Sequence, residues 1–167
     1  MARADSAGER EGLNVFFPWE CLRPLLQGYP AYIIPDEVIV DPKALVNYLE
    51  ANRITRLLTT PNLIEHILDY PGLDVGRKLK ALRFWFVQGE AAPATTVHKM
   101  MEGVPNAELW NIYGTWEVLN VSYARLDRRI TWSKFAPVGK AMLNVTCYLL
   151  DEAQQIRPGP PGVVKCP

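Results

Sequence analysis

Ile54-Thr55-Arg56-Leu57-Leu58-Thr59-Thr60-Pro61 passes from strand to helix within two residues. Ile54 to Thr59 is rich in β-branched and apolar side chains, as a strand buried in a sheet requires. Thr60-Pro61 is a helix start, a hydroxyl cap followed by a proline at the position whose N–H has no helical partner anyway. Leu63, Ile64, Ile67 and Leu68 then recur at helical spacing. The same unit repeats on both sides. Upstream, Asp41-Pro42 opens a helix with the apolar stripe Leu45, Val46 and Leu49, closed by Asn52. Ahead of it, Tyr29 to Ile34 reads as a short buried strand ended by Pro35-Asp36. Earlier still, Trp19, Leu22, Leu25 and Leu26 make a helix over 18–27, terminated by Gly28. Downstream, Arg83 to Gln88 is a strand, Gly89 to Ala92 a turn, Pro93 to Met101 a helix and Ala107 to Tyr113 another strand.

Strands alternating with helices of this length predict an α/β fold, a mostly parallel sheet with right-handed crossovers and helices on both faces. After Glu117 the pattern changes. Val118 to Leu126 and Asn144 to Leu150 both read as strands, with Asp127-Arg128 turning between apolar runs, so the C-terminal part is expected to be antiparallel. The tail Arg157-Pro158-Gly159-Pro160-Pro161-Gly162 cannot continue regular structure. The polar residues 1–12 are read as a disordered segment and 13–167 as one domain.

The 167 residues are enough for one ordinary core. Eighteen basic residues balance eighteen acidic ones, which leaves no overall field to draw nucleic acid or an anionic membrane. No run approaches the roughly twenty apolar residues that span a bilayer. Cys21, Cys147 and Cys166 are far apart and lack ligand spacing, which points to the reduced thiols of a cytoplasmic chain. His66 and His98 sit on separate helices with no partnering signature and are read as surface or interface residues. No Gly-x-Gly-x-x-Gly turn, Walker loop, Gly-x-Ser-x-Gly elbow or zinc spacing occurs.

In open parallel sheets, ligands bind beyond the carboxyl ends of the strands. Gly89 and Tyr113 are expected at two such ends, where a glycine lets a flat ligand approach the backbone and a tyrosine ring covers its other face. Taken singly, Gly89 also fits a tight turn and Tyr113 a core aromatic. Asn111-Ile112-Tyr113-Gly114-Thr115-Trp116-Glu117, read as the loop after the strand, adds a carboxylate to this end. Glu117 suits either a magnesium ion or the exposed start of a helix.

Three signals in order, Gly89-Glu90-Ala91, then Asn111 to Glu117, then Pro137-Val138-Gly139-Lys140 followed by Tyr148-Leu149-Leu150-Asp151, resemble the AMP-forming adenylation enzymes, the acyl- and aminoacyl-activating synthetases. The resemblance covers nearly the whole chain after Leu13. It implies that Tyr113 stacks on adenine and that Gly89, with Glu90 and Ala91, lies against the other face. It further implies that Asn111, Gly114 and Thr115 complete the ATP site and that Glu117 helps to bind Mg2+. Asn14 to Glu20 resembles the element that opens the acid pocket. The resemblance lines that pocket with Val15, Phe16, Trp19, Leu58, Phe86 and Ile112, with Asn120 at its rim. Several of these, Trp19 and Leu58 among them, fit ordinary cores equally well.

Two departures qualify the resemblance. Where such enzymes hold an α-amino group with aspartate this chain has Val15, which implies a carboxylic acid with an apolar body. Where they place a small hydroxyl before the glutamate it has Trp116, with Thr115 beside it as the substitute. The Ser/Thr/Gly-rich phosphate loop, the later Thr-Gly-Asp element and the catalytic lysine segment are missing from these residues. The chain therefore reads as an incomplete lobe, an interior slice of an ATP-dependent ligase that passes an acyl-adenylate to a phosphopantetheine or CoA thiol. Its expected partners are a small carboxylate and a carrier domain or the remainder of the synthetase, and the slice alone is expected to be inactive. The alternative is a module that keeps the scaffold and binds nucleotide or protein without reaction.

Overall fold

In a computed structural model, residues 8–14, 19–148, 150–153 and 155–156 are described. They form a seven-stranded sheet in the order β2-β1-β3-β4-β5-β6-β7. In chain order the elements are β1 (Glu11–Leu13), α1 (Trp19–Gln27), β2 (Ala31–Ile33), α2 (Asp36–Ile39), α3 (Pro42–Ala51), β3 (Arg56–Thr59) and α4 (Pro61–Leu68). They continue with α5 (Val75–Lys78), β4 (Phe84–Val87), α6 (Ala94–Gly103), β5 (Glu108–Thr115), β6 (Leu119–Arg125) and β7 (Lys140–Ala141). β1 to β5 are mutually parallel where they pair, and β6 and β7 run antiparallel, as expected from the change of pattern after Glu117.

The caps read in the sequence form. Asp41 accepts from the amides of Lys43 and Ala44 at the start of α3, and the Thr60 hydroxyl accepts from Leu63 at the start of α4. The stripe Leu45, Val46 and Leu49 packs with Leu57, Ile64, Ile67, Trp85, Val97, Met100 and Leu109 into one core on one face of the sheet. Trp85 is fully buried there and its Nε1 donates to Thr59 Oγ1 at 2.7 Å.

Helices lie on both faces because the chain reverses direction in the sheet. β1 leads outward to β2, whereas β2, β3 and β4 each lead the other way, and right-handed crossovers of opposite sense leave on opposite faces. Thus α3, α4 and α6 cover the Leu57–Trp85 face, and α1 covers the other, where Arg23 pairs with Glu11. On that second face Glu11, Arg56 and Phe84 are in register across β1, β3 and β4. The Glu11 side chain is fully buried, held by Arg23, by Tyr29 Oη at 3.0 Å and by Arg56 Nε at 3.4 Å. The Arg56 guanidinium lies 4.7 Å and 5.0 Å from the ring centres of Phe84 and Phe86. Burial, and then the neighbouring Glu11 carboxylate, push the Tyr29 phenol up to about 12.

Several expectations need correction. Glu11 and Gly12 are already in the sheet, so the segment read as disordered through residue 12 contains most of β1, a strand made inconspicuous by its glutamate. The strand expected over Tyr29 to Ile34 is shorter and is a sheet edge rather than buried, with Ile33 73% exposed. Asn111 to Thr115 belong to β5 itself and not to a loop after it. Asn144 to Leu150 is no strand among the described residues. Asn144 has φ of 64°, which breaks extended backbone, and Leu150 makes only an isolated bridge with Ile156. Val15, Phe16 and the Pro-rich tail lie outside the described residues, as does the side chain of Trp19.

Candidate nucleotide and acid site

The reversal of direction creates a place for a ligand before any side chain is considered. β1 and β3 are neighbours whose connections leave on opposite faces, and the crevice at such a switch point opens beyond their carboxyl ends. Those ends are Leu13-Asn14 and Thr59-Thr60. Asn14 Nδ2 donates to the Leu58 carbonyl across them, and Asn14 Oδ1 is buried with no partner among the described residues.

Pleating sorts the expected site residues onto two faces of one edge. Val87 is opposite Asn111 on neighbouring strands, so Gly89 and Tyr113 are the next residues on that face, the face of Leu57 and Trp85. Gly89 has φ of 99°, a left-handed backbone that glycine adopts without strain, and Tyr113 is 40% exposed beside it. Glu90 and Ala91 are exposed in the turn. Leu58, Phe86 and Ile112 project from the opposite face of β3, β4 and β5, with Leu58 in register with Phe86 and both buried. The geometry therefore gathers Gly89, Asn111 and Tyr113 on one side and Leu58, Phe86, Ile112 and Asn120 on the other.

The turn after β4 is strapped down. Ala94 N donates to Lys134 O and Ala136 N to Ala92 O, each at 2.9 Å, and Pro93 bridges Phe135. Asn111 is 3% exposed, and its Nδ2 donates to the Pro137 carbonyl at 3.0 Å, which ties the same strap to β5. The resemblance made Asn111 a nucleotide contact. In this fold its amide nitrogen is engaged with the chain, leaving Oδ1 for a ligand.

Gly114 sits at a bulge where the β5–β6 register shifts, opposite Asn120. A Cβ there would fall 2.0 Å from the Leu119 carbonyl oxygen, so the close crossing of the two strands demands glycine. Beyond it, Thr115 to Leu119 form a tight hairpin with Trp116 65% exposed at its tip. The Thr115 hydroxyl, followed by backbone hydrogen bonding, holds the exposed Glu117 carboxyl below the usual range. Among the described residues no three His, Cys, Asp or Glu side chains cluster as a metal cage. A single ionised carboxylate fits a cation such as Mg2+ that keeps waters and shares phosphate oxygens.

One residue escaped the sequence reading. Gln88 continues the β4 ladder, its amide donating to Thr59 O at 3.1 Å, and is 8% exposed. Its Nε2 donates to Asn120 Oδ1 at 2.9 Å, joining β4 to β6 across β5 on the Leu58–Phe86 face. The signal for it was a polar residue ending an otherwise apolar strand.

A separate depression of about 410 Å3 on the helical side is lined by Asn62, Glu65, His66, Asp69 and Tyr70. Its acids are taken, Glu65 by the Thr96 hydroxyl and Asp69 by Lys99 at 2.7 Å. His98 stacks on Trp132 with ring centres 6.1 Å apart. No helix among the described residues is long and apolar enough to cross a membrane.

The chain is 33% identical over 146 residues to glycine betaine reductase ATRR of Emericella nidulans, covering 87% of this chain and 11% of the reductase. It is 30% identical over 146 residues to tyrocidine synthase 3 of Brevibacillus parabrevis, covering 86% of this chain and 2% of the synthase. The chain thus spans a small part of the length of these relatives. Among solved structures, the fold superposes on IdnL1 with a TM-score of 0.81 at 19% identity, covering 91% of this chain and 32% of that one. It superposes on the Vibrio cholerae adenylation domain AlmE, solved with glycyl-adenosine-5'-phosphate, with a TM-score of 0.75 at 21% identity, covering 89% of this chain and 28% of that one. The profile of the AMP-binding enzymes matches residues 14–165, nearly the whole of the sheet and both halves of the candidate site, and the chain belongs to that family.

Proposed function

We propose that this chain forms the adenine-binding and acid-binding part of an ATP-dependent ligase that activates a carboxylic acid for transfer to a thiol. The observation that carries the reading is the pairing of Gly89 and Tyr113 on one face of the strand ends with Leu58, Phe86 and Ile112 on the other. A nucleotide held on the first face and an acid body on the second bring phosphate and carboxylate together over the edge between them. ATP supplies the electrophilic phosphorus and Mg2+ the counter-charge to its oxygens. Tyr113 stacks the base, Gly89 admits it against bare backbone, and Glu117 holds the metal. The apolar second face excludes water from the acid. The acceptor is a phosphopantetheine or CoA thiol on a carrier domain or free in the cytoplasm, a reading in keeping with the synthetases among the relatives.

The test is a thermal melt of the chain with AMP and with Mg-ATP, since a ligand that binds only the folded state raises the melting temperature by mass action. A rise with AMP supports the reading, and no rise with either nucleotide at millimolar concentration removes it. Pyrophosphate exchange by these 167 residues alone is expected to be negligible, because no phosphate loop or catalytic lysine segment stands among them. Robust exchange would overturn that expectation.

A second reading, a scaffold that binds without reacting, is favoured by one observation. Trp116 is 65% exposed beside Glu117, where an indole in place of a hydroxyl obstructs a phosphate. It predicts a melt that responds to AMP and not further to Mg-ATP. The name of the Emericella nidulans relative adds glycine betaine to the acids worth offering.

A further inference from the structure

We infer that Arg128 is a positioning residue for the nucleotide. It moors the segment 128–137 along α6 and so fixes the turn at Gly89 and the Asn111 side chain, where the proposed base would lie. The inference rests on the nucleotide half of the ligase reading and deepens it.

The cause starts at the far end of α6. A helix leaves its last carbonyls without amide partners, and here Pro105 lacks the N–H that would close onto Met101. The Arg128 guanidinium fills that gap from outside the helix. Its Nη1 donates to the Met101 carbonyl, and its Nη2 donates to Val104 O at 3.0 Å and to Ala107 O at 3.1 Å. The negative end of the helix dipole favours a cation at this place, and the planar fork of donors reaches both the last turn of α6 and the entry to β5.

From Arg128 the chain returns along α6. Trp132 stacks on His98 midway, and at the start of the helix Lys134 and Ala136 bond to Ala94 and Ala92. Pro137 O then accepts from Asn111 Nδ2. The path from Met101 back to Ala94 is about 10 Å at helical rise, whereas the stretch from Arg128 to Lys134 reaches roughly 20 Å when extended. Residues 126–134 join no strand. The segment therefore has slack, and its anchors rather than its length decide where it lies. Without Arg128 it can slide on α6, and the bonds at Lys134, Ala136 and Pro137 carry that freedom into the turn after β4 and into Asn111. Arg129 is the contrast beside it, with its guanidinium bonded to Asp127 and its side chain 87% exposed.

The experiment titrates AMP into the 15N-labelled wild-type chain, Arg128→Gln, Arg128→Lys and Arg129→Gln, each well below its melting temperature so that affinity is read on folded protein. Arg128→Gln is expected to weaken AMP binding by roughly 2- to 30-fold, the range for residues that act on a site through their neighbours. Arg128→Lys keeps the charge at the helix end and should recover part of the loss, and it carries the comparison if Arg128→Gln does not fold. Arg129→Gln should bind as wild type. In the AMP-free spectra the backbone amide of Gly89 and the side-chain amide of Asn111 should move in Arg128→Gln and stay in place in Arg129→Gln. A lowered melting temperature with unchanged affinity, or with those two signals unmoved, would leave Arg128 a helix cap and overturn the inference. Equal weakening by Arg129→Gln would do the same. If the wild-type chain takes up no AMP, the nucleotide reading fails by itself, and whether Arg128 sets the turn is decided by the AMP-free spectra.

Discussion

Replacing Tyr113 by alanine isolates the half of the site proposed to face the base. The side chain is 40% exposed and stands outside the main core, so its removal disturbs folding little. A base stacked on an aromatic ring gains about 1–3 kcal/mol, which corresponds to a loss of roughly 5- to 150-fold in AMP affinity on truncation. With AMP at about 100 times its dissociation constant, the wild-type chain gains about 2.7 kcal/mol. For a domain of this size that is a rise of roughly 5–11 °C in melting temperature. A 30-fold weaker variant at the same AMP concentration retains about 0.9 kcal/mol, or roughly 2–3 °C. Tyr113→Phe keeps the ring and should keep most of the shift. The assay is a melt of the three proteins with and without AMP. If Tyr113→Ala responds as fully as wild type, or Tyr113→Phe responds as poorly as alanine, the stacking argument is wrong.

Three further outcomes follow from the packing. Gly114→Ala places a Cβ 2.0 Å from the Leu119 carbonyl, and the β5–β6 crossing must open, at a cost of about 1–3 kcal/mol read by urea unfolding. An unchanged midpoint would show that the bulge is not as tight as described. Glu11→Ala leaves Arg56 buried without its counter-ion and should cost about 3–5 kcal/mol, whereas Glu11→Leu with Arg56→Met should recover most of the loss, in the same unfolding measurement. The Arg129 guanidinium bonded to Asp127 holds its carboxyl down from 3.8 to about 2. Since the folded value lies below the unfolded one, the stabilisation is complete above the ordinary carboxylate range and is lost as pH falls towards about 2. An NMR titration of Asp127 should show the depressed value, and Arg129→Ala should return it towards normal.

The parts of the fold that the sequence announces are those with local causes. Asp41-Pro42 and Thr60-Pro61 cap helices through bonds to residues two or three further along, so three adjacent letters suffice to read them. β1 fails that test. Glu9 and Glu11 are buried, but their partners are Thr55, Arg83, Arg23, Arg56 and Tyr29, all distant in sequence, and a glutamate without its partner looks like surface. Ile33 erred in the opposite sense, an apolar residue that reads as core and lies on an open edge. In the candidate site, Gly89 and Tyr113 stand out because a glycine just past one apolar strand and an aromatic in the next are conspicuous letters by themselves. Gln88 does not, because its meaning depends on Asn120, 32 residues away.

The strap over residues 134–137 makes the turn after β4 and the antiparallel end of the sheet one opening unit. Ala94 and Ala136 each commit their amide to the other's segment, so neither bond breaks without loosening the second. In hydrogen exchange the two amides should therefore lose protection together and at one rate, with the Asn111 side chain released in the same event. During synthesis the corollary is one of order: the turn after β4 cannot settle into place until the ribosome has delivered Pro137, well after β4 and α6 have been made.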